Sequence, residues 1–367
     1  MIAVHVTRTT VFREPGRFAG WPANYGAWAW GNEILVGFAL GHVRRARDQY
    51  EGLHPRDTTR PFVPMLARST DGGTSWRAEP FTGTTPGGPC LSADEHVEAA
   101  LRAGTRLRED EFGRLPESID FTDPETIVLC GRTGLAAGAR SWFYVGRDRG
   151  RDWAGPFALP SFGLGGVAAR TDIVPIRAQH ALFLLTATKP DGTEGRVFVA
   201  ETVDGGRRFG WRGWVSTPAP GQQGWSIMPS SVGIGRTVLT AVRRWQGDSH
   251  SIELYRSDDL GASWRLSSVP VPDTGRGGNP PAMLRLTDGR LLLAYGARSA
   301  PYGLRAVTSD DDGGSWSPPR ILTGDAAGPD LGYPRVVQLP DGSVLAACYS
   351  NDSRFGDRFV EAVRWSP

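Results

Sequence analysis

Three carboxylates, Asp57, Asp123 and Asp172, stand in polar segments outside the repeated parts of this chain. A carboxyl group placed there can donate or accept a proton while a bond is cleaved. The cations around them are almost all arginine: Lys189 is the only lysine among 41 basic residues. A GC-rich coding bias produces such a skew. So does a need for planar guanidinium forks, which grip a carboxylate with two hydrogen bonds as lysine cannot.

Those residues need elements to position them, and the elements repeat. Ser69-Thr-Asp71-Gly-Gly73-Thr-Ser-Trp76 follows the pattern S/T-x-D-x-G-x-x-aromatic. The pattern returns at 202–209, 257–264 and 309–316, with a weaker copy at 146–153 that lacks the leading hydroxyl. The box aspartates Asp71, Asp148, Asp204, Asp259 and Asp311 are 77, 56, 55 and 52 residues apart. Such an aspartate accepts hydrogen bonds from backbone N–H groups just downstream, while the glycine supplies positive φ. The aromatic then fastens the turn to the core. Because the repeat places these aspartates equivalently, they read as structural rather than catalytic.

Strands rich in Leu, Val and Ala recur with the same period at 33–40, 126–130, 181–188, 236–243, 290–297 and 343–349. Six such strands predict an all-β fold: a six-bladed β-propeller of four-stranded antiparallel blades, forming one domain over 1–367. A seven-bladed ring would leave one blade without sequence. The amino-terminal strand, about 3–12, is expected to join the last strand at 359–365 and close the ring, since closure removes exposed edges. Residues 77–120 break the period as an insertion. Within it, Ser92-Ala-Asp-Glu95 has a capping-box pattern that predicts a short helix to about Ala103.

In a propeller the innermost strands face a central channel. The segments expected to supply them are Trp21-Pro-Ala-Asn24, Phe121-Thr-Asp-Pro124, Ala169-Arg-Thr-Asp172, Met228-Pro-Ser-Ser231, Asn279-Pro-Pro-Ala282 and Tyr333-Pro-Arg-Val336. Unlike the boxes, they differ from one another, as an asymmetric site on a repeated scaffold requires. Their polar members Asn24, Arg170, Asp172, Asn279, Tyr333 and Arg335 are therefore candidate site residues.

The boxes and strand order resemble the sialidase (neuraminidase) superfamily over nearly the whole chain. That resemblance implies a glycoside hydrolase with three arginines on the substrate carboxylate, an Asp acid/base and a Tyr nucleophile assisted by Glu, a departure from the two-carboxylate scheme. Tyr333, ahead of Pro340-Asp-Gly342, matches the segment bearing the nucleophile. Asp57, in His54-Pro-Arg-Asp57, lies where the acid/base is expected; Asp48 competes with it, and His54 is a candidate substrate contact. For the first arginine, Phe12-Arg-Glu-Pro15 resembles the family's Phe-Arg-x-Pro element and nominates Arg13, whereas Arg17 lies nearer the inner strand. Arg243 or Arg244 corresponds to the second arginine and Arg298 or Arg305 to the third, with Arg335 as a further anion contact.

One departure matters. The family's Glu has no counterpart, because Met228-Pro-Ser-Ser231 contains no carboxylate. An unassisted phenol has a pKa of about 10, so Asp172, beside Arg170, is the substitute base. The implied substrate is a terminal acidic sugar, sialic acid or similar. A lyase or exo-glycosidase for another sugar stays open, as does a non-catalytic carbohydrate-binding propeller using Trp21, Tyr25 and Trp28 as stacking platforms.

The net charge of +2 argues against a polyanion-binding surface, so no nucleic-acid partner is expected. No apolar run is long enough to span a membrane. Residues 1–10 lack the pattern of a signal peptide, which makes a cytoplasmic location the expectation, or secretion if the chain has been trimmed. Cys90, Cys130 and Cys348 are far apart, which indicates neither a disulfide framework nor a metal site. No metal or organic cofactor is implied.

Overall fold

The computed structural model describes residues 6–44, 54–88, 90–92, 94–216 and 224–367. Every regular element among them is a β-strand or a short 3-10 turn. The chain forms two compact units. One comprises Met1–Phe81, His250–Ile252 and Pro270–Pro367; the other comprises Thr82–Ser249 and Glu253–Val269.

The first unit contains three antiparallel sheets. In one, Val6–Phe12 pairs with Phe359–Trp365, followed by Val344–Ser350 and Gly332–Gln338. The amino-terminal strand thus joins the last strand as expected, in a register that sets Val6 opposite Trp365. The second sheet runs through Ala282–Arg285, Leu291–Ala297, Gly303–Ser309 and Arg320–Ile321. The third runs through Arg17–Gly20, Glu33–His42, Val63–Ser69 and Arg77–Pro80, with Ala27–Trp30 also on Glu33–His42. Buried Leu292, Ala294, Leu304, Val344, Val363 and Trp365 form part of this unit's core.

In the second unit, Ile127–Arg132, Ser141–Gly146 and Ala154–Ala158 make a three-stranded sheet. A larger sheet begins with Val167–Arg177, His180–Thr188 and Glu194–Thr202, continuing to Gly224–Ile234 and Thr237–Gln246. Its two meanders are joined by one parallel bridge, Arg196 to Ser226. The box aromatic Phe209 packs edge-on against Phe143 and Phe183 at 5.8 and 5.0 Å.

The boxes fold as their chemistry dictates. The Ser69 hydroxyl donates to Asp71 Oδ1 at 2.8 Å and accepts from the Gly73 N–H at 2.9 Å. Asp71 Oδ1 also accepts from the N–H groups of Thr74 and Ser75 at 3.0 and 2.9 Å. Trp76 Nε1 donates to the Gly73 carbonyl at 3.0 Å. Ser309, Asp311, Gly313 and Ser315 repeat the pattern. Hydrogen bonds from Ser75 and Ser315 hold Asp71 and Asp311 at a pKa of about 2, and those from Ser263 do the same for Asp259.

The helix expected up to Ala103 is not present. Single 3-10 turns occupy Asp94–His96, Ala99–Leu101 and Ala103–Thr105. The Asp94 carboxylate accepts from the N–H groups of Ala103 and Gly104, both at 2.7 Å. That long-range pairing folds the segment back on itself, so the acidic residue closes a loop instead of starting a helix.

Gly73 shows how tightly a box is specified. Its φ is +87°, and a Cβ there would lie 2.3 Å from Leu345 Cδ1. Gly31, at φ +62°, has open space around it. Gly31→Ala is expected to cost about 1–2 kcal/mol for the left-handed backbone alone, whereas Gly73→Ala adds the clash and costs about 2–5 kcal/mol. Urea unfolding of the two variants checks the order, and equal losses would show that the box does not dictate this glycine.

The box carboxylates also predict an acid response. Their folded pKa is depressed, so the stability they contribute is complete above about pH 4 and drains as the pH falls through about 2. Changing Asp71, Asp259 and Asp311 together to Asn should flatten the acid limb of thermal stability measured against pH.

Candidate functional site

The site in the first unit begins with backbone geometry. Trp21 and Tyr333 both precede a proline and both hold positive φ, +61° and +49°. Met228, also before a proline in the second unit, holds +55°. A bulge accompanies the turn at Tyr333: the register of Gly332–Gln338 against its neighbour shifts between Gly332 and Arg335. Strict alternation, which would give Tyr333 and Arg335 a common face, is therefore interrupted. Bulges and sparsely populated backbone conformations re-aim side chains at functional sites, and something must hold them.

Asn279 does the holding. Its Oδ1 accepts from the N–H groups of Tyr333 and Gly296 at 3.0 and 3.2 Å, and its Nδ2 donates to the Leu331 carbonyl at 2.8 Å. This fully buried amide, expected from sequence to touch substrate, is spent on bracing Tyr333. Asn24 lies in the buried turn Pro22–Asn24. Arg335 Nη2 donates to the adjacent Ala23 carbonyl at 3.0 Å.

Around the Tyr333 ring stand Arg298, whose Cζ is 5.7 Å from the ring centre, and Tyr349, ring to ring at 5.9 Å. Tyr349 leads to a buried carboxylate that sequence reasoning missed. Asp330 Oδ1 accepts from the Tyr349 hydroxyl at 2.6 Å and lies 2.5 Å from His54 Nδ1, while Oδ2 accepts from Arg358 Nε at 2.7 Å. Burial alone would raise the Asp330 pKa, but the imidazole, guanidinium and phenol hold it well below the usual carboxylate range. Burial pushes the Tyr349 phenol well up, and Asp330 pushes it further. His54 is lowered by burial, which outweighs the pull of Asp330; Arg298 and Arg56 lower it too.

Other expected members are engaged by partners of their own. The Asp57 carboxylate accepts from the Thr59 N–H and hydroxyl at 3.0 and 2.6 Å, capping its own turn. Arg17 Nε donates to the Gly41 carbonyl at 2.8 Å, and Arg13 pairs with exposed Asp352 at 2.6 Å. Arg358, at 1% exposure, is the more deeply buried guanidinium beside Asp330. Asp48 lies outside the described residues. Trp21 packs on Phe18 and Phe62, and with Tyr25 it is buried in the core, not presented as a stacking platform.

The second unit gathers Arg170, Asp172 and Arg243 on neighbouring segments. Arg170 Nη1 pairs with Glu194 at 2.7 Å and Nη2 with Glu95 at 3.5 Å; Glu95 also holds buried Arg132 at 2.6 Å. Asp172 Oδ2 accepts from the Ser231 N–H at 2.5 Å, so a carboxylate does reach the Met228–Ser231 stretch that contains none. Arg243 lies over the Trp225 ring at 4.5 Å, with Nη1 3.7 Å from Met228 Sδ. Arg244 Nη2 donates to Gln246 at 2.8 Å. Asp123 caps a local turn, accepting from the Glu125 N–H and the Thr126 hydroxyl. Among the described residues, no group of three His, Cys, Asp or Glu side chains could hold a metal ion.

With this geometry in place, comparison with known proteins defines the class. A family profile described as a BNR repeat-like domain matches residues 126–346. The chain belongs to that family. A search of curated proteins gives no match. Among solved structures, a Dyadobacter fermentans protein of unknown function is similar at 20% identity and a TM-score of 0.72, covering 98% of this chain and 99% of that one. An α-L-arabinofuranosidase from Fusarium graminearum, solved with an iminosugar inhibitor, is 13% identical with a TM-score of 0.59, covering 97% and 98%. A Hadza microbial sialidase is 14% identical with a TM-score of 0.60, over 95% of this chain and 65% of its own. These likenesses establish the fold.

The Asp330 network makes a stability prediction. Removing one partner of a buried ion pair strands the other, at a cost of about 3–5 kcal/mol. Arg358→Met should lower the urea-unfolding free energy by that amount, whereas Arg13→Met, at an exposed pair, should change it by less than about 1 kcal/mol. Equal effects would show that Asp330 is not the anchor.

Proposed function

We propose that this chain is a single-domain, six-bladed propeller hydrolase that removes a terminal acidic sugar, sialic acid or a similar one, from a glycan. The observation that carries this reading is Arg298. Its residue is 4% exposed, and it makes no ion pair with a carboxylate among the described residues; its side chain contacts the Tyr333 ring and the Tyr349 hydroxyl, 3.4 Å from Nη2. A buried cation with no carboxylate in direct contact is poorly compensated until an anion arrives. A sugar carboxylate supplies that anion and fits a guanidinium fork.

Tyr333 beside it is the nucleophile of this reading, held in a strained backbone that aims its ring. Asp57 is assigned as the acid that protonates the leaving oxygen, for which its carboxyl must turn from the Thr59 N–H and hydroxyl that it accepts from, and Arg335 is a further anion contact. Sharing a fold with a sialidase and an arabinofuranosidase supports glycosidic-bond chemistry in general. The choice of an acidic sugar rests on Arg298.

Aryl glycosides of sialic acid, of uronic acids and of arabinofuranose test it together. Turnover is expected only of carboxylated sugars. Arg298→Met should raise KM by about 30- to 3,000-fold, the range for stranding a charge partner. Tyr333→Phe should lower kcat by at least about 10³-fold, as loss of a nucleophile does. Turnover of the neutral arabinofuranoside alone would overturn the substrate class, and turnover of none would overturn the enzyme.

A further inference from the structure

The second unit holds a group of charges that the reading above does not use. Arg132, at the end of the strand Ile127–Arg132, is fully buried; Arg170, where the register is interrupted between Ala168 and Asp172, is nearly so. Both guanidinium groups reach one oxygen of Glu95. Arg132 Nη2 lies 2.6 Å from Oε1, and Arg170 Nη2 lies 3.5 Å from the same atom. His96 Nε2 is 3.7 Å from it as well, and Arg170 Nη1 pairs with Glu194 at 2.7 Å. Two guanidinium groups are thus balanced by two carboxylates.

The balance is one of charge and not of geometry. A guanidinium and a carboxylate shaped for each other lie fork to fork, with two parallel hydrogen bonds. Glu95 uses Oε1 alone. Its Oε2, and the Nε and Nη1 of Arg132, are buried with no hydrogen-bond partner among the described residues. Leaving donors of a buried cation unmet is costly. The origin of the carboxylate matters too. The arginines stand on strands, whereas Glu95 belongs to a single 3-10 turn, Asp94–His96, within the insertion. Its side chain, 16% exposed, lies nearer solvent than either arginine.

We propose that Arg132 and Arg170 form a carboxylate-binding site in the second unit, which Glu95 keeps closed by standing in for the carboxylate of a ligand. Tethered to its turn, Glu95 meets Arg132 with one oxygen. An untethered carboxylate meets it with two, accepting from Nη2 and from Nη1 or Nε, with Arg170 Nη2 beside it. Glu95 then turns out to water, which hydrates both of its oxygens. The ligand is a small carboxylate, of which a uronic acid is the sugar-borne form. The open form is a minor conformer, about a tenth of the molecules or fewer, and it weakens the apparent affinity by that fraction. A bare anion is thereby kept out, and a ligand with further contacts holds the site open. The site lies in a different unit from Arg298, and the inference stands whether or not the glycosidase reading does.

Titration calorimetry on the whole 367-residue chain tests it with glucuronate, acetate and glucose. Every protein carries Arg298→Met, so that the anion contact proposed in the first unit does not contribute. With Glu95 in place, glucuronate should bind weakly. Glu95→Gln keeps an oxygen for Arg132 but removes the competing charge, and it should tighten glucuronate by about tenfold or more. Adding Arg132→Lys keeps the cation and removes the fork, and that gain should be lost. Acetate should follow the same order more weakly, and glucose should bind none of these proteins.

A simple structural ion network gives a different pattern. Glucuronate bound no more tightly by Glu95→Gln overturns the proposal, and so does a gain that survives Arg132→Lys. Glucose bound as well as glucuronate overturns the ligand class. If Glu95→Gln melts too low for titration, glucuronate should raise its melting temperature saturably while glucose does not. No such rise overturns the site.

Discussion

A carboxylate cut off from water must be answered by donors, and Asp330 is answered from three separate stretches of chain. His54 comes from the segment ahead of the first box, Tyr349 from the strand Val344–Ser350, and Arg358 from just before the last strand. Asn351 adds a hydrogen bond to the Asp330 carbonyl at 2.9 Å, and Arg358 Nη1 donates to the Gly356 carbonyl at 2.8 Å. An ionised group in low dielectric is tolerable only when such a set is complete. The consequence is positional. Residues distant in sequence are fixed relative to one another, and the Tyr333 ring packs on the fixed set.

The boxes perform a different task with the same residue type. Asp71 and Asp311 lie at the surface, and their acceptors are filled by groups at most four residues away. Such a turn can be copied along a chain because nothing in it depends on a remote partner. Asp330 cannot be copied, since each of its partners is individual. Repetition therefore marks scaffold, and singularity marks the Asp330 network, the same division that was expected of the non-repeating inner segments.

This contrast explains what could be read from sequence. The boxes, the strands near 33–40, 181–188 and 343–349, and the pairing of the first strand with the last were legible because local hydrogen bonding and apolar alternation determine them. Tyr333 and Arg335 stood out in the sequence as polar residues where a packed interior needs none, and Arg298 only through the family resemblance, as one of two candidates with Arg305. Asp330, Tyr349 and Arg358 were not: the His54–Asp330 contact spans 276 residues, and no periodicity encodes it. The helix failed for the same reason, since the Ser92–Glu95 capping-box pattern is local while Asp94 within it is met by Ala103 and Gly104 from across the loop.

Two buried arginines in the first unit show how structure separates roles that sequence cannot. Arg358 donates to Asp330 through Nε and to the Ser353, Arg354 and Gly356 carbonyls through its other nitrogens, so its hydrogen-bonding capacity is absorbed by the protein. Arg298 is nearly as buried, yet its side chain contacts two tyrosines. By sequence alone both are arginines near strand ends. The difference is whether a carboxylate of the chain directly meets the charge, and it is on that difference that the proposal of anion recognition at Arg298 rests.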